Sequence, residues 1–193
     1  MIPVQTSVPS PSSDHRPESL WIIVMGVAGC GKSTLAQHLA DALKLAFIEG
    51  DQFHPPENIR KMSLGIALDD ADREGWLERL GAELLSHPGG AVLACSALKR
   101  SYRARLRQAV QQLCFVHLSV TQELAIARVQ ARSGGHPFPS SLVASQFATL
   151  EDPRGEERVL QLDGAIAPSE LCAKTLQWID AQGFQSGAEQ WIG

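Results

Sequence analysis

The sequence predicts an α/β fold built on a five-stranded parallel sheet flanked by helices, and three observations predict it. Short apolar runs alternate with longer helical patterns along the chain. The runs are apolar on both faces, as strands covered by helices on each side must be. A glycine-rich turn, "GVAGCGKS" (26–33), joins the first run to the first helix, where strand-turn-helix geometry turns backbone N–H groups toward an anion.

The runs are 20–27, 45–49, 91–98, 114–120 and 158–164, and the helical stretches 32–44, 72–86, 99–112, 121–132, 139–150 and 168–181. In 72–86 the residues Trp76, Leu77, Leu80 and Leu84 recur at spacings of three and four, which marks one buried stripe. Strand following helix following strand implies right-handed crossovers, with ligands gathered at the carboxyl ends of the strands. Residues 20–182 read as one domain with a mobile lid at about 128–150. Residues 1–19, rich in Pro and Ser, read as a disordered leader, and 183–193 as a loose tail.

Composition narrows the function. The 193 residues are 44% hydrophobic with a net charge of −4, a globular balance with no basic footprint for nucleic acid. No apolar run is long enough to span a bilayer. Cys30, Cys95, Cys114 and Cys172 form no C-x-x-C pair and read as free thiols of a reducing compartment, so the expectation is cytoplasmic.

The 26–33 turn has the G-x-x-x-x-G-K-[ST] spacing. Gly26 and Gly31 permit backbone conformations that a Cβ would penalise. With Val27, Ala28, Gly29, Cys30 and Thr34 they form an expected ATP cradle. Lys32 supplies a charge for the β and γ phosphates, and Ser33 a hydroxyl for Mg²⁺.

The acceptor side starts at "GDQFHPPENIRKM" (50–62), directly after the second run. Asp51 reads in two ways, as the carboxylate that orients an acceptor hydroxyl or as the cap of the following turn. His54 suits either an acceptor contact or turn stabilisation. Asn58 and Lys61 share one side of a helical turn after Pro56, facing substrate or solvent. In "LDDADREGW" (68–76), Asp70 or Asp72 caps the next helix, while Arg73 opposes its dipole and so hints at an anion, either Asp51 or a bound acid. In "CSALKRSYRARLR" (95–107), Lys99 and Arg103 share a helix face that Arg107 continues. Arg128 and Arg132 precede "SGGHPFP", a pattern that suits a lid closing over triphosphate or an ordinary helix end. The stretch "DGAIAP" (163–168) is a candidate base pocket.

In order and spacing, "MGVAGCGKS", "GDxxHPxxNIxKM", "LxDxDRxxWL", "CSALKRxYRxxLR" and "SQFATLE" (145–151) resemble the gluconate kinase (gluconokinase) family of P-loop small-molecule kinases. The similarity covers about residues 20–182. It implies a nucleoside-monophosphate-kinase-like fold with strand order 2-3-1-4-5, ATP:D-gluconate 6-phosphotransferase activity, Mg²⁺ dependence and a homodimer. Residue by residue, it implies ATP and Mg²⁺ binding at Gly26, Gly31, Lys32 and Ser33. Acceptor handling falls on Asp51, His54, Lys61, Arg73, Lys99 and Arg103, and the lid arginines are Arg128 and Arg132. Two positions depart from the family pattern: Gly75 stands where proline is usual, and "GGHPFP" carries an extra glycine at 134 or 135 and Pro137 after His136. A different hydroxy-acid kinase of shikimate type and a nucleotide-binding sensor without turnover are the competing readings.

Overall fold

In the computed structural model, which describes residues 19–131 and 141–184, the first strand β1 (Leu20–Met25) runs through the middle of the sheet. It pairs in parallel with β3 (Gly90–Ala94) on one side and β4 (Cys114–Ser119) on the other. Outside them lie β2 (Ala46–Glu49), on β3, and β5 (Val159–Asp163), on β4. The order is β2-β3-β1-β4-β5, all parallel, as the resemblance implies. The proposed leader, apart from Ser19, and the tail beyond Phe184 lie outside the described residues. Phe184 itself is buried and packs into the core.

Two-sided burial of β1 organises the core. Ile22 and Val24 join Leu35, Leu39, Val116, Leu171 and Ile179 on one face, covered by α1 (Lys32–Leu43) and α7 (Pro168–Ala181). Ile23 and Met25 join Trp76, Leu80, Leu84, Leu106 and Phe115 on the other, beneath α3 (Asp70–Leu85) and α4 (Arg100–Ala109). The Trp76–Leu84 stripe is therefore buried as its spacing predicts. No helix among the described residues is long and apolar enough to cross a membrane, and the four cysteines are free.

Three local differences from the sequence expectations matter for the site. The third strand ends at Ala94, and residues 95–98 leave the sheet as a connection. Asp51 lies in a 3₁₀ turn, Gly50–Phe53, followed by a helix α2, Pro56–Ser63. Helix α3 begins earlier than expected and is capped by Asp69: the Asp72 N–H donates to the Asp69 carboxylate at 2.9 Å, and the Asp69 N–H to the Asp72 carboxylate at 3.0 Å. This reciprocal pair fixes the helix start even with Gly75 in place of proline. Asp70, expected as a cap, is thereby released to face the cleft.

Candidate active site

The glycine-rich turn has the backbone its sequence requires. Gly26, Gly29 and Gly31 have φ of 136°, 82° and 103°, values that L side chains rarely adopt. A Cβ on Gly29 would also stand 2.5 Å from the Ala125 carbonyl oxygen of α5 (Gln122–Ala131). Helix α1 opens directly from the turn at Lys32, adding its dipole. The Lys32 ammonium donates to the Val27 carbonyl at 3.1 Å, arching over the loop.

Strand β2 delivers two carboxylates beside it. Glu49, half-buried at the strand's last position, is hydrogen-bonded by the Ser33 hydroxyl. Burial raises its pKa, the Ser33 bond opposes this, nearby Asp51 raises it further and Lys32 opposes. The buried Cys95 thiol, pushed up to about 12 mainly by burial, feels the same three charges, with Lys32 lowering and Asp51 and Glu49 raising it. Lys32, Glu49 and Asp51 thus converge at the carboxyl ends of β2 and β3. Glu49 was not singled out from sequence, although its place one residue before "GD" at a strand's end was the available signal.

Trp76 holds the acceptor loop. Its indole N–H donates to the Gly50 carbonyl at 2.8 Å, and its ring stacks on His54 at 4.4 Å and 12°. Gly50 is required here, because a Cβ would stand 2.6 Å from the Ala94 oxygen. Asn58 donates to the Asp72 carbonyl at 2.7 Å and contacts His54 Nδ1 at 3.4 Å. With the Asn58 amide as donor, Nδ1 accepts and Nε2 carries the proton. Burial pushes the His54 pKa down to about 4, with Asp51 opposing and Arg73 assisting, so His54 is a neutral donor at pH 7. Lys61 is tied to Asp72 at 2.5 Å, a pair that joins α2 to α3.

A cleft of about 390 Å³ opens among Leu68, Asp69, Asp70, Arg73, Lys99 and Thr149. Arg73 donates to the carbonyls of Leu68 and, at 3.3 Å, Asp69. Lys99 pairs with Asp70 at 2.6 Å. Both cations lie 5.6 Å from the Tyr102 ring centroid, and the Tyr102 hydroxyl donates to Asp70. Tyr102 and Thr149 stand within the quoted motifs, but the sequence assigned neither a role.

Arg103 is not brought into this cleft, contrary to expectation. It is fully buried, and every guanidinium nitrogen is committed: to Glu156 at 2.5 and 3.1 Å, to the Ala97 and Leu98 carbonyls at 2.9 Å and to the Glu151 carbonyl at 3.1 Å. Arg107 pairs with the same Glu156 at 2.8 Å. The spacing of Arg103 and Arg107 gave their shared face correctly, but that face meets the 151–157 segment, whereas Lys99, the residue before α4, turns to Asp70 and the cleft. Arg128 donates to the Gly164 carbonyl at 2.8 Å and approaches the Gly29 and Cys30 carbonyls at 3.4 and 3.5 Å. It braces the back of the glycine-rich turn against the "DGAIAP" segment. Arg132, His136 and the extra lid glycine lie outside the described residues.

A second buried histidine, His117 on β4, has no hydrogen-bond partner for either ring nitrogen among the described residues. Burial pushes its pKa down to about 4, with Asp152 opposing and Arg103 and Arg154 assisting. His54 and His117 both bind protons more readily unfolded than folded. Their contribution is therefore complete above about pH 6.5 and is lost as pH falls toward 4. Thermal melts from pH 7 to pH 4.5 are expected to show stability falling by up to about 1.4 kcal/mol per pH unit for each histidine. The substitution His117→Phe should flatten that slope, and an unchanged slope would remove His117 as a cause.

A parallel sheet carrying a phosphate cradle at one strand end, with a carboxylate and a cation pair across the crevice, defines a P-loop kinase of a small polar acceptor. The comparisons narrow the class. A family model described as "AAA domain" matches residues 21–153. The gluconokinase of Gluconobacter oxydans is 42% identical over 84% of this chain and 92% of its own length. The thermosensitive gluconokinase of Escherichia coli is 41% identical over 73% of this chain and 77% of its own. A crystal structure of a gluconokinase from Sinorhizobium meliloti superposes with a TM-score of 0.78 at 43% identity, covering 92% of this chain and all of that one. Shikimate kinase from Acinetobacter baumannii, at 19% identity and a TM-score of 0.59, shares the fold alone. The chain belongs to the gluconokinase family of P-loop kinases.

Proposed function

We propose that the protein transfers the γ-phosphoryl group of ATP to the 6-hydroxyl of D-gluconate, giving 6-phospho-D-gluconate and ADP. One observation carries the reading. Asp51 lies near Lys32 around Cys95, His54 feels both Asp51 and Arg73, and Arg73 and Lys99 line the cleft beyond. Gluconate has the complementary layout, a row of hydroxyls ending in a carboxylate.

Phosphoryl transfer is loose and mostly electrostatic, so orientation and charge placement dominate. Asp51 accepts the hydrogen bond of the attacking hydroxyl, aims its oxygen at the γ-phosphorus and takes its proton as the new P–O bond forms. Neutral His54, locked by Trp76 and Asn58, donates from Nε2 to an acceptor oxygen without adding charge beside Asp51. Arg73 and Lys99 hold the far carboxylate. Lys32 neutralises the oxygens of the leaving diphosphate.

The Ser33 hydroxyl and Glu49 carboxylate, in mutual contact, are hard oxygen donors that would hold a Mg²⁺ ion. Bound there, the ion would offset the negative charge of the triphosphate. The homodimer and the cytoplasmic location belong to the same reading, and light scattering of the purified chain tests the first.

The deciding experiment measures ADP release across gluconate, shikimate and related hydroxy acids. Gluconate is expected to give the highest kcat/KM. A preference for shikimate would reject the assignment, and no ADP release with any acid would favour a sensor.

A further inference from the structure

Helix α6 (Ser141–Thr149) reaches the phosphate cradle through a side chain that the proposed mechanism leaves unused. The Gln146 side-chain oxygen accepts a hydrogen bond from the Ala28 N–H at 2.6 Å. The peptide joining Val27 to Ala28 is thus held at both ends, its carbonyl by Lys32 and its N–H by Gln146. Because Lys32 is the residue that reaches the β and γ phosphates, this peptide lies at the terminal-phosphate end of the cradle. An N–H that will face an anion needs an acceptor in its absence, and the neutral carboxamide supplies one.

The same helix also reaches the acceptor cleft. Thr149, three residues after Gln146 and so on the same side of α6, lines the cleft with Arg73 and Lys99. The chain just after α6 is pinned to the residues on either side of Lys99. The Glu151 N–H donates to the Leu98 carbonyl at 3.0 Å, and the Glu151 carboxylate accepts from the Arg100 N–H at 2.6 Å. One rigid helical turn therefore touches both half-sites.

We propose that Gln146 is a positioning residue that reads the terminal phosphate. It occupies the Ala28 N–H without nucleotide, yields it to a γ-phosphate oxygen and then donates its own side-chain N–H to the phosphoryl group. Helix α6 carries that exchange to Thr149, so the acceptor cleft is set for gluconate when ATP is present and not when ADP is. The inference rests on the reading of ATP as donor.

The test uses the full-length chain and two variants, Gln146→Ala and Gln146→Glu. The second keeps an acceptor for Ala28, so the fold and the contact survive, but it removes the donor and adds a charge facing phosphate. For both, kcat is expected to fall about tenfold or more, as loss of a hydrogen bond to a charged group would give. Affinity for a β,γ-non-hydrolysable ATP analogue, read by calorimetry, should fall by a similar factor, while ADP affinity stays within about twofold. The KM for gluconate should rise with it. Equal losses for ADP and the analogue, or Gln146→Glu matching wild type in kcat and analogue affinity, would overturn the proposal. Failure of the wild-type chain to phosphorylate gluconate would reject the assigned acceptor instead, and the nucleotide affinities would still read Gln146.

Discussion

The substitution Asp51→Asn is expected to lower kcat by on the order of 10²-fold or more while ATP still binds. The change removes proton-accepting ability and keeps the shape. The local fold does not depend on the carboxylate: the 3₁₀ turn is closed by the His54 N–H donating to the Asp51 backbone carbonyl at 3.4 Å, and held from outside by the Trp76 bond to Gly50. The nucleotide cradle is built from residues 26–34 and Lys32, which Asp51 influences only through space. Effects on turnover and on ATP affinity should therefore separate, with the loss in kcat and little change in binding of an ATP analogue. The gluconate KM should change less than kcat, because an amide still offers the hydroxyl an acceptor oxygen. Steady-state ADP release with gluconate, together with analogue binding, checks this. Turnover within a few-fold of wild type would remove Asp51 from the chemistry.

What the sequence made legible follows from how locally each feature is encoded. The phosphate cradle is eight consecutive residues whose glycines, lysine and serine each have one physical task, so its place after β1 and before α1 could be read directly. The sheet was legible because two-sided burial produces apolar runs, as at Ile22 to Met25. The third strand was read too long, since "CSAL" continues the apolar run although it has left the sheet. Polar partnerships across long separations were the harder part. Lys99, Arg103 and Arg107 gave a basic face, but the partner of Arg103 is Glu156, more than fifty residues on. Nothing in the spacing near Arg103 announces it; the acidic residues of "LEDPRGEE" (150–157) were the only signal. Gln146 stood inside the "SQFATLE" motif, but an uncharged helix residue carries no local sign of a bond to the cradle, and the Ser33 contact of Glu49 required the start of α1 to meet the end of β2.

The substitution Arg103→Met is expected to destabilise the fold by about 3–5 kcal/mol, the range for removing one partner of a buried ion pair, and to lower Tm by roughly 10 °C. Arg103 is fully buried and the Glu156 side chain is 9% exposed, so the loss strands a carboxylate that only Arg107 at 2.8 Å and, more distantly, Arg100 at 3.5 Å can still reach. The carbonyls of Ala97, Leu98 and Glu151 lose their guanidinium donors in the same step, and methionine offers none. The double variant Arg103→Met with Glu156→Gln should recover part of the loss, because the stranded charge is gone. pH gives an independent check. Burial alone would raise the Glu156 pKa, but the hydrogen bonds and charges of Arg103 and Arg107 outweigh it and hold the carboxyl down at about 2, from an ordinary 4.5. The pair's contribution is thus complete above about pH 4.5 and lost as pH falls toward 2. The gap between wild type and Arg103→Met should stay constant from pH 7 to about pH 5 and narrow below that. Activity should fall as well, though the residue never meets substrate. Arg103 holds Ala97, whose φ of 41° is unfavourable for a non-glycine residue. Its neighbour Ser96 accepts the N–H of Gly26, the first glycine of the cradle, at 3.3 Å, and Lys99 follows into the cleft. Releasing those carbonyls loosens both walls of the crevice at once, so kcat/KM should drop even at temperatures where the variant remains folded. A variant that melts within about 2 °C of wild type would show that Glu156 is held well enough without Arg103, by Arg107 and Arg100.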